Sequence, residues 1–281
     1  MNWYTRTFVM GILNVTPDSF SGDGLLTASD TIAAAIAQAR HFVEEGADIL
    51  DVGGESTRPG AQPVSTEEEI KRVVPVIRAL KEIFPEVLIS IDTYKAAVAE
   101  AALQAGAGMV NDVWGLRADP AIASVVARHG VPVVLMHNRS TPQHTELRER
   151  LGGRYVNVPY DDLLTDVKRE LLESVTLAQQ AGVAKEAIIL DPGIGFGKTV
   201  AQNLELVNRL DEIRALGFPV LLGVSRKSFI GYTLNLPPDQ RLEGTAAAVT
   251  VGIVRGANIV RVHDVGFMAR IARMTDAILG K

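Results

Sequence analysis

Eight short apolar runs in this chain each end on side chains able to do chemistry. In order, the ends are Asn14, Asp51 with Glu55, Asp92, Asn111 with Asp112, His137, Asp191, Ser225-Arg226-Lys227-Ser228, and Arg261 with His263. A strand leaving a core turns polar in any case, so one such residue means little. Eight of eight point to a shared site. Asp92, Asn111 and Asp191, aimed into one mouth, offer carboxylate and amide acceptors plus an amide donor, suited to a small heterocycle with adjacent N–H groups. Buried carboxylates need a partner, a ligand or a basic neighbour, and Lys227 is the candidate neighbour. Arg58, Arg261 and His263, with the glycine turns Gly53-Gly54 and Gly60, make a local anion site. Arg261 and His263 stand two apart on a strand and share a face. Beside Asn14, they predict a diphosphate pocket with Mg²⁺ as its companion.

Other motifs carry less. Gly193-Ile194-Gly195-Phe196-Gly197-Lys198-Thr199 resembles a nucleotide-binding loop, but Pro192 stands where the first glycine is required. Its glycine spacing is not the dinucleotide one either, so these glycines are expected to let the backbone pass a bound ring, with Phe196 packing on it. His41 and His129 fall late in helical runs, His144 lies in a polar loop, and His137 is expected to be a supporting residue behind the site. No zinc-protease or serine-elbow motif occurs. The 281 residues include no cysteine, which excludes disulfides, thiolate nucleophiles and zinc-thiolate sites and fits a reducing, cytoplasmic setting. A net charge of −5 argues against nucleic-acid binding, and no apolar stretch is long enough to span a membrane. The first residues lack a signal-peptide pattern.

The elements that must position these groups alternate in type. Strand candidates are Phe8–Val15, Asp48–Gly53, Leu88–Asp92, Met109–Val113, Pro132–His137, Ile188–Asp191, Val220–Ser225 and Ile259–His263. Helical spacing fills Thr31–Glu45, Thr66–Phe84, Ala96–Ala105, Pro120–His129, Asp161–Ala181, Ala201–Leu216, Gly244–Arg255 and Phe267–Leu279. Gly46, Gly106, Gly130, Gly182, Gly217 and Gly256 follow helical runs, where a left-handed residue ends a helix. Ser65 and Glu68 suggest a capping box, and Pro75 predicts a kink or interruption in the second helix. Eight β–α units without a composition break predict one domain over 1–281, a closed (β/α)₈ barrel with its polar groups at the carboxyl ends of many strands. An open doubly wound sheet would instead gather them at one switch point.

Six blocks, GILNVTPDSFSGDG at 11–24, DVGGESTRPGA at 51–61, SIDTYKAAVAEAALQAGAGMVNDVWG at 90–115, ILDPGIGFGKT at 189–199, GVSRKSFIG at 223–231 and GTAAAVTVGIVRGANIVRVHDV at 244–265, closely resemble the dihydropteroate synthases. The resemblance implies a (β/α)₈ transferase of folate biosynthesis. Such an enzyme joins 6-hydroxymethyl-7,8-dihydropterin diphosphate to 4-aminobenzoate. It further implies that Asp92, Asn111, Asp191 and Lys227 hold the pterin, with Met136 and Phe196 lining its pocket. Asn14 would meet Mg²⁺, and Asn14, Thr57, Arg58, Arg261 and His263 would surround the diphosphate. Pro17, Asp18 and Phe20, with Thr57, Pro59 and Ser228, would form the aminobenzoate site. Segment 138–160 departs from the family pattern. A homodimer and a monofunctional chain are implied, with the Ala/Val-rich helix 244–255 as a contact surface that core packing explains equally well. A methyltetrahydrofolate-binding relative would share the pterin contacts but has no use for Arg58, Arg261 and His263, and a silent pterin-binding paralogue stays open.

Overall fold

The computed structural model describes residues 1–16, 28–56, 63–148 and 150–281, the side chains of 28–30 excepted. Eight parallel strands form its centre: β1 (Phe8–Asn14), β2 (Ile49–Gly53), β3 (Leu88–Asp92), β4 (Met109–Asp112), β5 (Val133–Met136), β6 (Ile188–Asp191), β7 (Leu221–Leu222) and β8 (Ile259–Val262). Each strand pairs with its sequence neighbour, and β1 pairs with β8. Between β6 and β7 the ring closes through the Leu190–Val220 bridge. The barrel expectation therefore holds, and the open sheet does not.

Helices cover the outside: α1 (Ala28–Glu45), α2 (Thr66–Ile83), α3 (Ala96–Gln104), α4 (Ala121–His129), α5 (Leu163–Gln180), α6 (Val200–Asn208), α7 (Leu210–Arg214), α8 (Ser228–Leu234), α9 (Leu242–Val254) and α10 (Val265–Leu279). All six helix-ending glycines have positive φ. α2 runs through Pro75 without interruption. Only half of the capping box forms: Ser65 Oγ accepts from the Glu68 amide at 3.2 Å, while the Glu68 carboxylate is drawn to Arg72 Nε at 2.9 Å. The run 201–216 breaks at Arg209 into α6 and α7. Segment 138–160 contains an antiparallel hairpin, Thr145–Arg148 with Gly152–Tyr155. α9 turns Val249 and Ile253 inward and leaves Val251 and Val254 exposed, as α10 leaves Phe267, Met274 and Ile278.

Side chains alternate across each strand, so one parity faces the helices and the other the barrel lumen. The lumen at the amino-terminal end is filled by Trp3, Phe8, Met10, Ile49, Met109, Val134, Ile189, Leu221 and Ile259, which form a buried apolar cluster separate from the helix-facing core. Two positions beyond Ile49, Met109, Val134, Ile189 and Ile259, with the same parity, stand Asp51, Asn111, Met136, Asp191 and Arg261, as Ser90 stands beyond Leu88, which packs on the plug.

Candidate active site

Above the apolar plug a polar layer begins at Arg261. From β8 its guanidinium crosses the lumen to two carboxylates, Nε to Asp51 Oδ2 at 2.6 Å and an Nη to Asp92 Oδ2 at 2.7 Å. Asn111 Nδ2 donates to the same Asp51 oxygen at 3.1 Å. The arrangement is two carboxylates held by one cation and one amide, with Asp51 fully buried. Among the described residues, three buried oxygens, Asp51 Oδ1, Asp92 Oδ1 and Ser90 Oγ, have no hydrogen-bond partner. Polar atoms removed from water without partners are costly, so a ligand or ordered water is expected to meet them. Burial pushes the Asp92 carboxyl up to about 7; Arg261 pulls it down and Asp51 pushes it further up.

Asp191, at the end of β6, accepts from the Gly193 amide at 2.6 Å. Burial raises its pKa, against the opposing pull of Lys227. Among the described residues, Lys227 makes no direct ion pair with an aspartate. Its ammonium donates to the Ile194 carbonyl and lies 4.6 Å from the centre of the Phe196 ring, a cation–π distance. Burial brings the Lys227 ammonium down to about 8. The basic neighbour expected for the aspartates is thus Arg261 at Asp92, with Lys227 offering a longer-range field to Asp191. Arg261, expected beside the diphosphate, thus also touches Asp92, expected beside the pterin.

Two glycines of the turn 193–197 have a packing reason beside the one expected. A Cβ on Gly193 would lie 1.8 Å from the His137 carbonyl oxygen, and one on Gly197 would lie 2.2 Å from the Arg139 carbonyl carbon. Both have positive φ. They let this turn press against the backbone after β5. Gly195 faces Lys227, where a Cβ would meet its side chain at 3.0 Å.

His263 Nδ1 lies 3.0 Å from Ser225 Oγ, which also accepts the His263 amide at 3.1 Å. Ser228 opens α8, directly after Lys227. Met136 is buried and paired with Asp191 across β5 and β6. Asn14 pairs with Gly53, which pairs with Asp92; a Cβ on Gly53 would sit 3.8 Å from Asn14 Oδ1 and 3.6 Å from Asp92 Cβ. Asn14 therefore stands at the same rim as Asp92. Among the described residues no cluster of three or more His, Cys, Asp or Glu is spaced for a metal. A single hard oxygen at the rim suits Mg²⁺, which takes few protein ligands and keeps oxygens of a bound phosphate. Pro17, Asp18, Phe20, Thr57, Arg58 and Pro59 lie outside the described residues.

Residues 10–263 match the family model described as pterin binding enzyme. The dihydropteroate synthase of Bacillus subtilis is 51% identical over 282 residues, spanning 100% of this chain and 92% of that protein. The chain belongs to the dihydropteroate synthase family. Solved structures agree with its fold. The Clostridium difficile dihydropteroate synthase, in the presence of pteroic acid, superposes with a TM-score of 0.90 at 48% identity and full coverage of both chains. That of Xanthomonas albilineans with 4-aminobenzoic acid gives 0.87 at 43% identity, covering 99% of this chain and 94% of the other.

Within this dihydropteroate synthase barrel, two residues take a larger part than their sequence reading gives them. Asp51, expected only as one polar residue near a strand end, stands at the middle of β2, and its parity with Ile49 puts it in the lumen beside Arg261. Lys198 was set aside with the failed nucleotide-loop motif, yet it is 1% exposed. His137 holds the supporting position expected of it, between Lys198 and Glu170. Its Nδ1 is 2.9 Å from Lys198 Nζ, and its Nε2 is 3.1 Å from Glu170 Oε2.

Proposed function

We propose that this chain condenses 6-hydroxymethyl-7,8-dihydropterin diphosphate with 4-aminobenzoate, releasing diphosphate. The observation that carries the reading is the polar layer of the lumen, where buried carboxylates stand beside a guanidinium over a closed apolar floor. A pterin presents adjacent ring and exocyclic N–H groups that match the free oxygens of Asp92 and Asp51 and the carboxylate of Asp191. Asn111 can turn either amide atom toward the ring. Phe196 and Met136 supply apolar faces, and Lys227 is placed to donate to a ring heteroatom.

The cationic side serves the leaving group. Arg261 spends two of its N–H groups on Asp51 and Asp92, and the others remain for diphosphate oxygens, joined by His263 and by Thr57 and Arg58. Asn14 and the diphosphate oxygens would hold Mg²⁺, which when bound neutralises charge developing on the departing group. Pro17, Asp18, Phe20, Thr57, Pro59 and Ser228 would seat 4-aminobenzoate. Loss of diphosphate from the CH₂ of an electron-rich reduced pterin leaves a delocalised cation, which the aniline nitrogen captures. The C–O bond breaks, the C–N bond forms, and the anilinium proton passes to solvent. The chain supplies no cysteine for covalent catalysis. Its residues act by positioning and by electrostatic stabilisation.

Diphosphate release measured with both substrates and Mg²⁺ tests this reading. Turnover is expected only when 4-aminobenzoate is present. Binding of the pterin diphosphate without turnover would make the chain a silent binder, and a covalent pterin–protein adduct on the reaction path would overturn the dissociative course.

A further inference from the structure

Behind the site lies a buried charge chain that the reaction does not touch. A lysine ammonium has three N–H donors. Lys198 has three acceptors at 2.9 Å: the carbonyls of Gly193 and Phe196, and His137 Nδ1. The tautomer follows from the other side of the ring. His137 Nε2 lies 3.1 Å from a Glu170 carboxylate oxygen without the alignment of a hydrogen bond, and that negative charge favours the imidazole proton on Nε2, which leaves Nδ1 to accept. Burial holds this imidazole neutral, its pKa brought down to about 3. Three accepting partners suit an ammonium, while burial, with Lys227 and Arg117, brings the Lys198 pKa well below its ordinary value against the opposing fields of Asp191 and Glu170. Glu170 is itself fixed by Arg117 and Arg139.

The turn that Lys198 clamps carries the site. Its Ile194 carbonyl receives Lys227, its Phe196 ring lies under the Lys227 ammonium, and its Gly193 amide binds Asp191. Remaining carbonyls of the same stretch are held from outside, Gly197 by Tyr160 Oη and Lys198 by Asn203 Nδ2. We propose that Lys198, backed by His137 and Glu170, is a positioning residue for pterin binding: it fixes the turn 193–197 and, through the Ile194 carbonyl and the Phe196 ring, the placement of Lys227. This inference rests on the pterin site argued above. A buried lysine serving only the barrel's stability would have no reason to affect one substrate more than the other.

The test is steady-state kinetics and calorimetric binding on the full chain, using 6-hydroxymethyl-7,8-dihydropterin diphosphate and 4-aminobenzoate. Lys198→Met is expected to raise the KM and Kd for the pterin diphosphate about tenfold while the KM for 4-aminobenzoate stays within about twofold. In a Lys227→Met background the same change should cost less than about threefold, because residues acting through one another are not additive. Multiplying effects, equal changes in both KM values, or no change would overturn the proposal. His137→Leu, which leaves Lys198 its two carbonyls, should show the same split at about threefold and serves if Lys198→Met does not fold. Failure of the underlying reading has a different signature, a wild-type protein that neither binds nor turns over the pterin diphosphate.

Discussion

The two ends of the barrel lumen are built from the same strands by the same alternation, and they solve opposite problems. At the amino-terminal end, Ile49, Met109, Ile189 and Ile259 are buried in one apolar cluster and bring no polar side-chain atom to satisfy. Two residues further on, the same strands present Asp51, Asn111, Asp191 and Arg261, and with Ser90 and Asp92 they leave three buried oxygens without partners among the described residues. Dispersion and apolar burial hold the lower layer, so its worth is realised in the free protein. The upper layer is partly unsatisfied until something binds. One step of strand parity thus separates the residues that hold the barrel from those that wait for a ligand, an arrangement in keeping with barrel enzymes generally.

Arg261 is where this separation can be broken most severely. Arg261→Ala would leave Asp51 and Asp92 buried with no cation, expected to cost about 3 kcal/mol of stability and at least about a hundredfold in kcat/KM. The pH dependence has a definite sign. Removing Arg261 removes the charge that holds Asp92 down, so the folded pKa climbs above its present value of about 7. A carboxyl whose folded pKa exceeds its unfolded one binds protons better in the native state, so stability falls as pH rises between the two. Wild type and variant share that fall up to about pH 6, and the deficit of the variant should widen above about pH 7, as denaturant melts at about pH 5 and about pH 8.5 would show. Activity lost without a stability cost would place Arg261 with the ligand alone.

The converse substitution lies one layer down. Ile49→Ala in the filled end should cost about 3 kcal/mol in denaturant unfolding and leave kcat/KM within about twofold. A large loss of activity at temperatures where the variant stays folded would mean that the lower layer also sets the geometry of the upper one. The contrast between Ile49 and Asp51, two residues apart on β2, would then disappear.

The strand ends could be read from sequence because a buried parallel strand is an apolar run that stops, and the six glycines after helices because a left-handed residue has few substitutes. What stayed hidden depends on contacts distant in sequence. The turn at 193–197 has the look of a ligand loop, yet Gly193 and Gly197 are also required by the carbonyl groups of His137 and Arg139 on another loop. Arg261 and His263 were correctly placed on one face, but the partners of Arg261 lie across the lumen on β2 and β3. The hairpin strands are four residues each and carry only Leu147 and Tyr155 as large apolar side chains, too few to show an alternation, and α8 spans only seven residues with Gly231 inside. The break at Arg209 leaves the apolar spacing continuous, and spacing alone reports nothing there.

Ser90 offers the finest test of the difference between the layers. It stands above Leu88 and below Asp92 on β3, fully buried, with its hydroxyl unpartnered among the described residues. If the upper layer is arranged for a ligand, the free protein gains nothing from this hydroxyl. Ser90→Ala should then leave stability unchanged or raise it by up to about 1 kcal/mol, since an unmet buried donor is removed. Affinity for the pterin diphosphate should fall by about threefold, the size of one modest hydrogen bond. A stability loss above about 1 kcal/mol with unchanged affinity would show the opposite, that the hydroxyl is already satisfied in the free protein. Ser90 would then belong with Ile49 to the part of the lumen that holds the barrel, and the boundary between the layers would move up by one residue pair.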